Sequence, residues 1–108
     1  MRALCIQIHP ERLSGIELDA VVLRLEKLTR TKPFVERSSN GKNAYVNVTF
    51  DVTDPRRLWR SIRSKIEDSH DVLNPASNGF IVTCEGPAGW KDYLLLYHFD
   101  KREAAEGL

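Results

Sequence analysis

The chain has 108 residues, of which 42% are hydrophobic and 29% charged, the composition of one ordinary globular domain. Sixteen Lys and Arg against fifteen Asp and Glu leave a net charge of +1. That excludes a uniformly basic nucleic-acid scaffold and an acidic tail-like protein, but not a local patch. The longest apolar run, Tyr93 to Tyr97, falls far short of the ~20 residues of a membrane span, so no membrane association is expected.

The N-terminal stretch reads as a strand and not as a secretion signal, because Gln7, His9 and Glu11 interrupt it. Leu4, Ile6 and Ile8 alternate with Cys5, Gln7 and His9, the period of a half-buried strand, and Pro10 ends it. Ser14-Gly15-Ile16-Glu17 matches a capping box and opens a helix whose apolar stripe is Leu18, Val21, Val22, Leu25 and Leu28. Glu26 and Arg30 stand at the spacing of an ion pair, and Lys32-Pro33 stops the helix. A short second strand runs from Phe34 to Ser38, and Asn40-Gly41 is a hairpin turn. In the third strand Ala44, Val46, Val48, Phe50 and Val52 share one face; Tyr45, Asn47, Thr49 and Asp51 share the other.

A second helix opens at Thr53-Asp54-Pro55, with Asp54 as N-cap and Leu58, Trp59, Ile62 and Ile66 as its apolar arc. Residues 68–79 read as a long loop. Phe80 to Glu85 is a fourth strand with Phe80, Val82 and Cys84 inward, Gly86-Pro87-Ala88-Gly89 is a turn, and Trp90 to Phe99 is a fifth strand. A helix is the rival reading of that last segment, since Trp90, Tyr93, Leu94 and Tyr97 also fit helical spacing. Residues 1–100 then make one domain, and 101–108 a polar tail, frayed or weakly helical.

The order of the first six elements, over about residues 3–86, resembles the ferredoxin-like split βαβ unit. The resemblance implies an α+β sandwich of predominantly antiparallel sheet in the strand order 5-4-1-3-2, with both helices on one face. Leu4, Ile6, Ile8, Val46, Val48, Phe50, Phe80 and Val82 would pack on Leu18, Val22, Leu25, Leu58, Ile62 and Ile66. Cys5 and Cys84 fall on opposite faces and cannot bond to each other, which suits a reducing cytoplasm. The open face would carry Tyr45, but Asn47 and Cys5 stand where an RNA recognition motif needs stacking rings.

Catalytic constellations are missing from the sequence. His9, His70 and His98 lie in separate segments, and there is no phosphate-binding glycine loop, nucleophile elbow or zinc-protease motif. The acids Asp68 and Asp71 are expected to be solvated and ordinary. No enzyme activity, cofactor or metal is therefore expected.

Two features suggest a partner instead. Arg56, Arg60 and Arg63 fall within about 60° of arc on the second helix, Arg57 lies further round the same side, and no acid occurs from Pro55 to Ile66. The fifth strand is apolar on both faces and needs a cover. The reading is a non-enzymatic protein-binding module that occludes its partner, with inhibitors of the immunity or antitoxin kind as the class analogy and a toxin or nuclease as partner. Arg56, Arg57, Arg60 and Arg63 and the acids Asp68, Asp71, Asp92 and Asp100 would steer docking, and Trp90, Tyr93 and Tyr97 would anchor it. Self-association, nucleic-acid binding through the arginines, and a small-ligand regulatory domain with Gly15 in its binding loop are the alternatives.

Overall fold

The computed structural model describes residues 1–40 and 43–108. The chain folds as an α+β layer pair. Five antiparallel strands, β1 (Arg2–Ile8), β2 (Phe34–Asn40), β3 (Asn43–Val52), β4 (Phe80–Gly86) and β5 (Gly89–His98), form one sheet in the order β2-β3-β1-β4-β5. Helices α1 (Leu18–Thr29), α2 (Pro55–Ile66) and the one-turn α3 (Leu73–Ala76) complete the fold. Of the Asn40-Gly41 turn expected between β2 and β3, Asn40 ends β2 and Gly41 lies outside the described residues. No helix among the described residues is long and apolar enough to cross a membrane.

The period-two pattern decides which sheet face is buried. Leu4 pairs with Phe50 and Cys84, and Ile6 with Val48 and Val82, so one face of the three central strands is continuously apolar and wholly buried. Cys5 then lies on the opposite face from Cys84, and both thiols are free. The helices meet this face with their expected stripes, though not every stripe residue is equally deep. Val21 and Leu25 of α1 and Trp59, Ile62 and Ile66 of α2 are buried, whereas Leu18, Val22 and Leu58 are only half-buried at the margin. The stripe itself is wide enough for its residues to differ in depth; the sheet beneath selects the deepest.

Three local expectations are corrected. Ser14 does not cap α1. Ser14 and Gly15 both take positive φ (53° and 89°), ending the 3-10 turn Pro10–Arg12, and the helix starts only at Leu18 with Glu17 as its cap. Leu13, just before this reversal, is buried against the core. Arg30 makes no ion pair with Glu26 among the described residues, because it closes α1 in the left-handed conformation (φ 55°). The segment 68–79 is not a plain loop. Leu73, Ala76 and Ser77 are buried in α3 and the 3-10 turn Ser77–Gly79, and the Asn74 side-chain amide donates to the carbonyl of Ile66 (2.7 Å).

The last segment is a strand. β5 pairs with β4 through a turn at Pro87-Ala88 and carries two register irregularities. Leu96, the extra residue at the first of them, is buried in the core. At the second, the backbone of Asp92 runs directly over Gly86, so closely that a Cβ there would lie 1.7 Å from the Asp92 carbonyl oxygen.

Candidate functional site

α2 owes its direction to its cap. The Asp54 carboxylate accepts the Arg57 backbone N–H (3.1 Å), Pro55 occupies the first turn, and Trp59, Ile62 and Ile66 hold the inner side against the sheet. The outer side is thereby left to Arg56, Arg57, Arg60 and Arg63, all exposed. Among the described residues, Arg63 alone of these four has a carboxylate within 4 Å of its guanidinium, that of Glu67 at 3.7 Å. Four guanidinium groups on three turns, with no acid on the helix, make a concentrated positive face.

The end of β3, the start of α2 and the β4–β5 turn lie at one end of the sheet, since Val52 pairs with Arg2 and Cys84 with Leu4. The exposed rings of β5, Trp90 (47% exposed) and Tyr93 (56%), stand at that end beside Asp92, which is also exposed. Tyr97 does not share their freedom. Its hydroxyl donates to the Ser77 carbonyl (3.2 Å), its ring lies 6.5 Å from that of Trp59, and the Lys101 ammonium sits 4.2 Å from the ring centroid. Tyr97 is part of the seam between β5 and α2, and its anchoring role is spent within the chain.

Of the four acids expected to steer docking, Asp68, Asp71 and Asp100 are engaged within the chain, and Asp92 is exposed. Asp71 is 8% exposed and takes a two-pronged grip from Arg24. The bonded guanidinium holds its carboxyl below the usual carboxylate range, against the opposing effect of burial. Asp68 accepts the His70 N–H (3.0 Å), and Asp100 is bonded to Arg102 (2.8 Å), which lowers its pKa.

Two features were not legible beforehand. The tail is not frayed. The Glu106 N–H donates to the Leu95 carbonyl (2.6 Å), and the Leu95 N–H donates to the Glu106 carboxylate (3.1 Å), so one tail residue satisfies both edge groups of Leu95. Leu108 then packs beside the core and, with Arg56, Trp59, Arg60, Arg63 and Gly107, lines a pocket of about 210 Å³. On the open face of the sheet, the His9 ring lies 6.2 Å from Tyr45 and 5.3 Å from Phe99, and its Nε2 is 2.8 Å from Gln7 Oε1. Arg12 covers the far side of Phe99 at 3.9 Å. This cluster uses up its own rings and polar groups, and Asn47 Oδ1 nearby on that face is buried without a partner. No group of three metal-ligating side chains occurs among the described residues.

No known protein family matches the chain, and neither does any curated protein or solved structure.

Proposed function

We propose that the protein is a non-enzymatic binding module that docks the arginine face of α2 on an acidic surface of another protein and so occludes it. The single observation that carries this reading is the unmatched charge of α2. Arg56, Arg57 and Arg60 are exposed with no acidic partner among the described residues, on a helix rigidly seated by Trp59 and Ile62. Rigid seating matters because it removes the entropy cost of ordering the surface on binding. A positive patch meeting a negative one speeds encounter and fixes orientation, and the exposed Trp90 and Tyr93 would add apolar contact. The framework is read as a ferredoxin-like split βαβ sandwich extended by β5 at its edge, working in the cytoplasm. The class analogy is an inhibitor of the immunity or antitoxin kind, with a toxin or nuclease as its partner.

The test is capture from the source cell by the wild-type chain and by the triple variant Arg56→Glu, Arg60→Glu, Arg63→Glu, followed by kinetics with the purified partner. The variant is expected to keep its fold and to associate about ten- to a hundredfold more slowly at low salt. Unchanged association overturns the reading. The rival is nucleic-acid binding through the same arginines. It predicts affinity for single-stranded or duplex oligonucleotides that falls steeply with salt.

A further inference from the structure

The tail shows what kind of segment the α2–β5 seam accepts. It binds in two ways at once. Glu106 satisfies both backbone groups of Leu95 on the outer edge of β5, with its N–H donating at 2.6 Å and its carboxylate accepting at 3.1 Å. Two residues on, Leu108 packs against the core and, with Arg56, Trp59, Arg60 and Arg63, lines a pocket of about 210 Å³. The tail therefore satisfies the strand edge and packs its aliphatic end against the core. Among the described residues it leaves Arg56 and Arg60 without a counter-charge, whereas Arg63 has Glu67 at 3.7 Å. Gly107, the residue that faces these arginines in the pocket, has open space around its Cβ position.

A segment that keeps the edge pairing and the aliphatic anchor, and adds a carboxylate where Gly107 stands, would hold every group the tail holds and also answer the unmet charge. From this we infer that the seam is a docking groove for an extended acidic segment of a partner protein, ending in an aliphatic anchor, and that the chain's own tail is its weak internal occupant, displaced when that segment binds. The inference rests on the reading of α2 as a docking face and specifies the chemistry that face takes. Strand addition at an exposed edge supplies backbone hydrogen bonds, and the side-chain pockets supply selectivity. Competition from the tail lowers the apparent affinity by the fraction of molecules in which the tail is seated.

The experiment uses the full chain and two fluorescent synthetic peptides, one of residues 99–108 and one of the same sequence with Gly107→Asp. The unlatched chain carries Glu106→Pro, which removes both the donor N–H and the carboxylate, and Leu108→Ser, which removes the anchor. Leu108→Ser alone serves as a second unlatched chain should the proline variant fail to fold. Anisotropy titrations should show both peptides binding an unlatched chain at least tenfold more tightly than the wild type. The Asp peptide should bind about three- to tenfold more tightly than the native one. Adding Arg60→Glu to the unlatched chain should remove that preference and spare the native peptide. Folded unlatched chains that bind neither peptide, or a wild type that binds as tightly, overturn the groove and its latch while leaving the charged face standing. Equal affinity for the two peptides, with or without Arg60→Glu, overturns the acidic character of the segment and counts against the docking face itself.

Discussion

Arg24 of α1 and Asp71 of the segment before α3, 47 residues apart in sequence, form a two-pronged ion pair, with Nη2 donating to Oδ2 at 2.7 Å and Nε to the same oxygen at 3.1 Å. Asp71 Oδ1 also accepts the Leu73 N–H (3.0 Å), so one carboxylate both clamps α1 and starts the turn that buries Leu73. The pair is the main polar tie between the first helix and the segment 68–79.

Removing one partner should leave the other charge in a half-buried site. Arg24→Ala or Asp71→Asn is expected to destabilise the fold by about 1–3 kcal/mol, read by urea denaturation. The pH dependence follows from the sign of the shift. Asp71 is held below its unfolded value of 3.8, so its stabilisation is present above that value and is lost as pH falls through the lower folded value. The wild type should therefore lose more stability on acidification below about pH 4 than Asp71→Asn does. Parallel slopes for the two proteins would refute the assignment.

The two thiols should stay apart. Cys5 and Cys84 lie on opposite sheet faces, and burial pushes both thiols above their ordinary pKa. At neutral pH the native protein should react slowly with a thiol reagent, Cys5 ahead of the fully buried Cys84, and the denatured protein should react at both. Mass spectrometry of the air-oxidised native monomer should show no loss of two hydrogens.

Gly86 and Gly15 make a contrasting pair. At Gly86 an added methyl would collide with the Asp92 backbone, which is not a flexible obstacle, so Gly86→Ala should disrupt the β4–β5 register and cost several kcal/mol. Gly15 has open space but a φ of +89°, so Gly15→Ala should cost only about 1 kcal/mol, from backbone strain. Thermal unfolding of the two variants ranks them, and a Gly86→Ala protein as stable as Gly15→Ala would contradict the close approach.

Tyr93 and Tyr97 should behave oppositely although both lie on β5. Tyr93→Asp changes an exposed ring and should leave stability within about 0.5 kcal/mol. Tyr97→Phe loses the bond to Ser77 and should cost about 1 kcal/mol, and Tyr97→Asp considerably more, because it places a carboxylate in the seam beside Trp59. Partner-binding experiments on Tyr97 variants thus need a fold check that Tyr93 variants do not.

The strands, the two long helices and the inward set of the sheet were legible from the sequence by itself, because alternation and helical spacing are local properties that the backbone geometry converts directly into faces. The opposed parity of Cys5 and Cys84 followed from the same period of two. Only the tertiary structure decided which residues of each helix stripe lie deepest on the sheet, that Ser14-Gly15 reverses the chain and does not cap it, that Asp71 meets Arg24, and that Glu106 and Leu108 close over β5 and α2. Each of these depends on which groups from distant parts of the chain come within a few ångströms. A carboxylate or a leucine in a polar stretch carries no local sign of a partner that packing alone brings to it.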